Sequence, residues 1–251
     1  MKRERIKRSD LIQIFWRSLF IQGSWNFKSM IGLGFCFCSI PIAKRLYKDP
    51  EEQTEFLKRH LLFFNAHPYF ATICLGACAN LEQKAKYKDQ GWVDSRPIAV
   101  FKERMTGPLG SVGDQIFWSG IKPLAAVIGV IVAVSFGWIA IPIFLVLYNI
   151  PHFYVRIKGL ALGYKLGFDV VSIISMRRLQ KYKLIALSLG SLVTGFCIMA
   201  LAKWKINGDL LNIFPFVVSM LLTFILLKNK ISISLILVLV SVLTIIFELI
   251  V

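Results

Sequence analysis

The composition of this 251-residue chain excludes most soluble classes of protein. Hydrophobic residues make up 56% of the chain, charged residues only 18%, and the mean hydropathy is +0.65. Soluble domains have about 45–50% apolar and about a quarter charged residues, so this chain has too little polar surface to cover a water-soluble fold. The net charge of +16 fits either a nucleic-acid binder or a membrane protein that contacts anionic lipid. The high hydropathy favours the membrane protein, and we expect no nucleic-acid partner.

The first predicted element is an amphipathic helix that follows a basic leader. Met1–Arg8 holds five basic residues, but the next segment is not the plain apolar run of a secretory signal. Ser9 is the expected N-cap of a helix that continues to Phe20. One face carries Leu11, Ile12, Phe15, Trp16, Leu19 and Phe20, and the other carries Asp10, Gln13 and Arg17. We expect this helix to lie on the membrane surface, with docking onto a partner protein as the alternative.

Two uncharged stretches in the middle of the chain are interrupted by helix breakers or polar residues. Leu61–Leu81 contains Asn65, His67, Pro68 and Asn80, which disfavour a lipid-facing helix. Pro123–Val155 has 33 residues, about 50 Å as a helix, which is too long for one crossing and too short for two with a turn. Because it contains Gly137, Pro142 and Pro151, we expect either one broken, tilted helix or two half-helices buried inside the protein.

Three apolar runs at the C-terminal end predict transmembrane helices. Leu184–Ala202, Leu210–Leu227 and Ile231–Phe247 have 19, 18 and 17 uncharged residues, close to the roughly 20 that cross the hydrocarbon core of a bilayer. The strand-length alternation of a barrel is absent from the sequence, which leaves helices as the spanning elements. We therefore predict an all-α integral membrane protein with transmembrane helices, broken or re-entrant segments and an N-terminal interfacial helix.

These features divide one membrane domain, 1–251, into three parts. Residues 1–60 hold the leader, the amphipathic helix and a first apolar segment, 61–183 hold the broken core segments and a basic loop, and 184–251 hold the three terminal helices. The loop expected over 156–183 has seven Lys or Arg against one Asp. Since cytoplasmic loops are rich in Lys and Arg, we place this loop and the N-terminus in the cytoplasm and the C-terminus outside.

The sequence contains no recognisable catalytic or cofactor motif. No P-loop, dinucleotide fingerprint, zincin motif or nucleophile elbow occurs. The cysteines at 36, 38, 74, 78 and 197 lie in apolar stretches and are expected to be buried hydrophobes rather than ligands of a metal with His60 or His67. We predict no catalytic residue, no cofactor and no metal.

Three polar strings carry a family resemblance. They are Gln22-Gly23-Ser24-Trp25-Asn26-Phe27, the string from His60 to Pro68 with Asn65-Ala66-His67-Pro68 at its end, and Gly107-Pro108-Leu109-Gly110-Ser111-Val112-Gly113-Asp114-Gln115-Ile116-Phe117-Trp118. Followed by Gly163-Tyr164 and Gly167-Phe168-Asp169, they resemble the IID membrane component of the mannose/fructose/sorbose family of the bacterial phosphoenolpyruvate-dependent sugar phosphotransferase system. The resemblance covers about residues 9–251 and is strongest before residue 170.

The resemblance implies a sugar permease subunit of the bacterial inner (cytoplasmic) membrane. In that family, IID pairs with a IIC membrane subunit in a trimer of heterodimers, and soluble IIA and IIB subunits relay phosphate to a hexose or amino sugar as it enters. IID itself is not phosphorylated, so the chain is part of an enzyme system and not an enzyme by itself. A free-standing secondary transporter and a membrane-anchored structural or receptor subunit are the alternative functions.

The candidate sugar-binding residues all lie in the three strings. They are Asn26, Asn65, His67, Asp114, Gln115 and Trp118. Residues 107–113 are expected to form a sharply bent loop that brings backbone close to a ligand. Asp114 either caps the helix after that loop or binds sugar hydroxyls, and Asn65 either satisfies a broken helix or faces the transport path.

The aromatic and remaining polar residues near these strings have two interpretations each. Trp118, with Trp25 and Phe117, either stacks on a sugar or packs as an interface anchor. Glu82 is expected to be a solvated charge at the end of the second stretch. Asn149 and His152 are expected to satisfy the helix break at Pro151.

Overall fold

The computed structural model describes residues 4–88 and 94–173, and beyond them only positions 184, 185, 188 and 195. The described ranges belong to one compact unit, Met1–Val193, and Thr194–Val251 groups separately. The three predicted C-terminal helices, the basic residues 177–183 and Cys197 lie outside the described residues, so the three-part division and the position of the C-terminus stay predictions.

The described residues form helices joined by short loops and contain no strand. In chain order the helices are α1 (Arg8–Ser18), α2 (Gly32–Leu46), α3 (Pro50–Leu61), α4 (Ala71–Tyr87), α5 (Arg96–Gly113), α6 (Lys122–Phe136), α7 (Ala140–Leu166) and the short α8 (Val170–Ile173). A π-helical segment, Asp114–Ile121, joins α5 to α6, and 3₁₀ turns at Gly137–Ile139 and Gly167–Asp169 flank α7. The predicted all-α class is confirmed.

Helix α1 buries a different face from the one that its pattern predicts. Asp10, Ile14 and Ser18, spaced four residues apart, are its buried residues and face the rest of the unit, including α2. Asp10 Oδ2 accepts hydrogen bonds from the Lys7 backbone N at 2.8 Å and from Arg45 Nε of α2 at 2.8 Å. The predictions of Ser9 as N-cap and of an exposed Asp10 are therefore wrong, because the carboxylate serves both as the helix cap and as the ion-pair partner of α2.

The apolar side chains of α1 that point away from α2 are exposed. Ile12 and Trp16 of α1 and Phe20 just after the helix are exposed, whereas Leu11 and Phe15 are partly buried against the core. Only part of the expected apolar face is therefore open to lipid or to another protein chain, and the position of the helix on the membrane stays a prediction.

Helices α4 and α7 form the closest helix pair because glycines bring their backbones together. Gly76 of α4 faces the carbonyl of Leu160, and Gly163 of α7 faces the carbonyl of Ile73, so that a Cβ atom at either glycine would overlap backbone. Such contacts are typical of helices that pack in membranes. Helix α4 is buried along most of its length, which agrees with the prediction that the 61–81 stretch does not face lipid.

Residues 107–113, expected as a bent loop, lie in the last two turns of α5. The helix continues through the π segment into α6, and the chain reverses at Gly137, whose φ is +61°. Gly129 of α6 faces Phe144 of α7, as in a helical hairpin. Neither interpretation of 123–155 holds in full, since the segment forms two helices joined by a break at Gly137.

The hairpin of α6 and α7 is not buried inside the chain, although the interpretation with two half-helices requires burial. Among the described residues, 96–172 is the one helical run long and apolar enough to cross a membrane, and only 6% of its most apolar window is buried. Helix α7 also passes Pro151 and ends at Leu166, so the basic loop predicted to begin at residue 156 is helical over its first eleven residues.

Candidate functional site

Two loops that carry the sequence motifs meet through backbone hydrogen bonds. The first motif loop, residues 19–31, connects α1 to α2, and the second motif loop, residues 62–70, connects α3 to α4. Ile31 N donates to Phe64 O at 3.0 Å, and Phe64 N donates to Ser29 O at 3.2 Å. Two strings that are about 40 residues apart in sequence therefore share one surface.

Asn26 shapes the first motif loop from within. Its Oδ1 accepts from the backbone N of Ser29 at 2.9 Å and of Lys28 at 3.1 Å, and its Nδ2 donates to Ser24 O at 3.2 Å. This is the local bonding by which an Asn side chain replaces a backbone turn partner. The structure thus places Asn26 beside the second motif loop but commits its amide to the turn.

His67 is the buried centre of the candidate site. Gly113 of α5 faces its ring, and a Cβ atom at that position would overlap the imidazole, which explains why this helix position requires glycine. His67 Nδ1 accepts from Tyr69 N at 3.3 Å, so the ring proton is assigned to Nε2. Nε2 is buried and has no hydrogen-bond partner among the described residues. Burial lowers the pKa of His67 to about 4, and the imidazole is therefore neutral near pH 7.

Aromatic rings surround this imidazole. Phe117 stacks on His67 with ring centroids 5.3 Å apart, and Trp118 lies 5.1 Å away. Phe117 is fully buried and cannot stack on a ligand, whereas Trp118 is 48% exposed. Trp25, in the first motif loop, is also exposed and packs edge-on against Phe27. Trp118 is therefore the aromatic residue beside His67 that a ligand can reach.

Asp114 and Gln115 directly follow Gly113, which faces the imidazole, and Asn65 lies two residues before His67 in the second motif loop. Asp114 directly follows Gly113 with helical φ and ψ of −62° and −43°, so it is not an N-cap, and that alternative is wrong. It is partly buried, and Gln115 Nε2 donates to Ser111 Oγ one turn earlier at 3.2 Å. Asn65 is exposed, and its carbonyl faces Gly110 of α5. Five of the six predicted residues thus gather where the second motif loop crosses the end of α5.

Glu82 is buried, so the prediction of a solvated charge at this position is wrong. Its carboxylate is 0% exposed and accepts from Arg59 Nε and Nη2, both at 2.7 Å, and from Tyr47 OH at 2.7 Å. His60 Nε2 lies 2.8 Å from the same carboxylate. The available signal was its spacing, since Glu82 follows Leu75 by seven residues and Cys78 by four and so shares their buried helix face.

A second polar chain runs along α7 to the buried guanidinium of Arg156, which the sequence predicts in a loop. Arg156 Nε donates to His152 Nε2 at 2.7 Å, which assigns the His152 proton to Nδ1, 3.3 Å from Asn149 Oδ1. Asn149 Nδ2 donates in turn to Leu145 O at 2.7 Å. Asn149 therefore bonds to its own helix near Pro151, as expected, whereas His152 serves chiefly as the acceptor for a buried arginine.

The cysteines among the described residues are buried and spread over α2 and α4. Cys36 and Cys38 lie in α2, and Cys74 and Cys78 lie one turn apart in α4 with their sulfurs at 4.0 Å. Within the described ranges, no three His, Cys, Asp or Glu side chains converge as metal ligands would.

Comparisons with known proteins agree with the motif resemblance. The family described as the PTS system mannose/fructose/sorbose family IID component matches residues 5–251. The mannose-specific EIID component of Escherichia coli (strain K12) is 36% identical over 193 residues, 76% of this chain and 68% of that protein. The fructose permease IID component of Bacillus subtilis (strain 168) is 34% identical over 204 residues, 81% of this chain and 72% of that protein.

Solved structures show the same similarity over nearly the whole chain. A chain in a cryo-EM structure of the mannose transporter ManYZ with microcin E492 is 32% identical, covers 96% of both chains and gives a TM-score of 0.63. A second structure, described as a membrane protein, is 30% identical, covers 95% of both chains and gives a TM-score of 0.74. With a family match that covers the three motif strings and the site they build, this chain belongs to the mannose/fructose/sorbose family of IID components, the membrane permease components of the sugar phosphotransferase system.

Proposed function

We propose that this IID chain pairs with a IIC membrane subunit to form the translocation unit for a hexose or amino sugar. The observation that carries the proposal is the meeting of the second motif loop and the end of α5 around a neutral imidazole beside an exposed indole, with the first motif loop hydrogen-bonded to the second. Sugars combine hydroxyl groups with apolar ring faces, and a site of neutral polar groups and an aromatic wall complements both features.

Each candidate residue has a distinct part in this proposal. The Nε2 hydrogen of His67 is a buried donor for which a sugar hydroxyl supplies the missing acceptor. Asp114 accepts hydroxyl hydrogens, Asn65 and Gln115 offer both donors and acceptors, and Trp118 covers an apolar face. Asn26 contributes through the shape of the first motif loop.

We assign the phosphate relay to the soluble IIA and IIB subunits and not to this chain. All three histidines of the chain, His60, His67 and His152, are buried. A phosphate-accepting histidine must be reached by its donor protein. The burial of these rings supports a permease role in which the sugar is phosphorylated by partner subunits as it enters.

The proposed location is the bacterial inner membrane, crossed several times, with the N-terminus in the cytoplasm and the C-terminus outside. Basic residues from the leader and from α4 gather at one end of the described unit. There, Ile6 N donates to Gln83 Oε1 at 2.8 Å, and Tyr87 OH donates to Glu4 O at 2.8 Å, next to Lys84 and Lys86. This concentration of positive charge supports a cytoplasmic end that contacts anionic lipid.

The proposed assembly is a trimer of IIC–IID heterodimers. It is tested by expressing the chain with and without the IIC, IIA and IIB subunits of its own system, in a strain without other mannose-family permeases. We expect phosphorylated sugar to accumulate only with the complete set and a stable IID chain only with IIC. A monodisperse homo-oligomer that transports sugar without IIC would overturn the proposal.

A further inference from the structure

Two cations are buried in the helical run that is able to cross a membrane. Lys102 of α5 is 1% exposed and Arg156 of α7 is 3% exposed. Neither forms an ion pair with a carboxylate within the described ranges, although the other buried charges, Asp10 and Glu82, each do. Charged side chains at such positions are costly, and they are generally retained for a specific role.

Both cations donate hydrogen bonds to the C-terminal end of another helix. Lys102 Nζ donates to His60 O at 2.7 Å and to Leu62 O at 2.8 Å, at the end of α3. Arg156 Nη1 donates to Ser18 O at 2.6 Å and to Ser18 Oγ at 2.9 Å, at the end of α1. The last carbonyls of a helix lack partners and carry partial negative charge, so each cation has its counter-charge in a helix end.

Each cation also lies over an aromatic ring. Lys102 Nζ is 4.8 Å from the ring centre of Phe35, which contacts Phe64 of the second motif loop at 4.7 Å. The guanidinium of Arg156 is 5.0 Å from the ring centre of Tyr69, which contacts the ring of His67 at 4.7 Å. These contacts extend from the two cations to residues inside the candidate site.

The two helix ends are the points at which the two motif loops begin. The first motif loop follows α1, and the second follows α3. We infer that Lys102 and Arg156 are positioning residues that fix both motif loops on α5 and α7 and thereby set the affinity for sugar. This inference rests on the proposed function, because it assumes that the loops hold the sugar.

The geometry of Arg156 predicts that lysine cannot replace it. Its Nε bonds to His152 while its Nη1 bonds to Ser18, so two rigidly spaced nitrogens are used at once. A lysine ammonium is a single point of charge on a flexible chain and cannot span both partners. If only the positive charge is required, Arg156→Lys should behave like wild type. If the spacing of the two guanidinium nitrogens is required, Arg156→Lys should fail like Arg156→Gln.

The test compares Lys102→Gln, Arg156→Lys and Arg156→Gln with controls on the same helices. Arg104→Gln on α5 and Lys158→Gln on α7 change exposed cations and serve as the matched controls. In the assembled full-length complex we measure the KM and maximal rate of sugar uptake, the amount of complex, and amide hydrogen exchange over 19–31 and 62–70.

We expect each buried-cation variant to raise the KM for sugar by about tenfold or more, because hydrogen bonds from a charged donor are lost. The amount of complex and the maximal rate should stay within about twofold of wild type. Amide hydrogen exchange should accelerate in the second motif loop, 62–70, in Lys102→Gln. It should accelerate in the first motif loop, 19–31, in both Arg156 variants. The controls should match wild type. An unchanged KM with unchanged loop exchange would overturn the inference.

Two further measurements keep the test decisive. Where a variant does not assemble, Ser18→Ala removes one acceptor of Arg156 and should still accelerate exchange over 19–31, and unchanged exchange there would overturn the inference. If wild type imports no sugar, the proposed function fails, but the exchange data still show whether the cations fix the loops.

Discussion

The buried cluster around Glu82 gives a quantitative expectation for Glu82→Gln. The glutamine keeps the shape and one acceptor oxygen but removes the charge that holds Arg59 through two bonds of 2.7 Å. Removing one partner of a buried ion pair costs about 3–5 kcal/mol. Since the Arg59 side chain is 13% exposed and can reach some water, we expect the lower end, about 3 kcal/mol.

The assay is thermal unfolding of the purified complex in detergent. For a chain of this size, 1 kcal/mol shifts the midpoint by about 2–4 °C, so Glu82→Gln should lower it by about 6–12 °C. Glu55→Gln is the matched control, because Glu55 pairs with Lys58 on the exposed face of α3 and its loss should leave the midpoint unchanged. A Glu82→Gln complex as stable as wild type would refute the reasoning.

The same cluster predicts a dependence on acid. Burial raises the pKa of Glu82, but hydrogen bonds from Arg59 and His60 outweigh it and lower the pKa from the usual 4.5 to about 2. A carboxyl whose pKa is lower in the folded state stabilises the fold above its unfolded pKa, and this contribution is lost as the pH falls toward the folded pKa. The difference in unfolding midpoint between wild type and Glu82→Gln should therefore shrink as the pH falls below about 4.5.

Three further predictions concern packing, docking and transport. Gly163→Ala should lower the thermal midpoint, because its Cβ would overlap the backbone of α4, whereas Gly107→Ala, with nothing within 4 Å, should not. Asp10→Asn should loosen α1, seen as faster limited proteolysis at the N-terminus, because the pair with Arg45 is lost. Asp114→Asn should reduce uptake per assembled complex about ten- to hundredfold if the carboxylate accepts sugar hydroxyls, and unchanged uptake would make Asp114 structural.

The sequence predicts the fold class and the neighbourhood of the site because both follow from local patterns. Hydropathy indicates helices in a membrane, and the second and third motif strings indicate residues that end up together around His67. The resemblance adds the family. Local patterns could not show which distant residue forms a hydrogen bond or ion pair with a given polar side chain. Asp10 and Glu82 each lie two residues from a basic residue in sequence, yet each is buried against an arginine from another helix.

The glycine-rich string 107–113 shows why glycine and proline residues do not reliably predict a turn at this position. Gly107, Pro108 and Gly110 favour a loop in water, yet they lie in α5. Where water is scarce, backbone groups must bond to one another, and a continuous helix satisfies them better than an open bend. Gly113 then serves a different purpose, since the missing side chain makes room for His67 rather than a turn.

Arg156 was assigned to a cytoplasmic loop because the distribution of basic residues in sequence carries no information about their depth. Its acceptor at Ser18 is 138 residues away, so no local pattern could reveal the contact. For 177–183, which lie outside the described residues, the cytoplasmic location stays a prediction, and counting basic residues does not apply to a cation that caps a helix.

The arrangement of charge around the motif loops bears on how a permease coupled to phosphorylation would release its product. Lys102 and Arg156, buried beside these loops, already donate to helix carbonyls, and His67 is neutral. Asp114 supplies a carboxylate at the same place. A neutral sugar meets donors, acceptors and an indole there, whereas a sugar phosphate would meet a charge of its own sign and cations that are engaged elsewhere. Under the proposed function, this arrangement of charge therefore fits the neutral sugar better than its phosphorylated form.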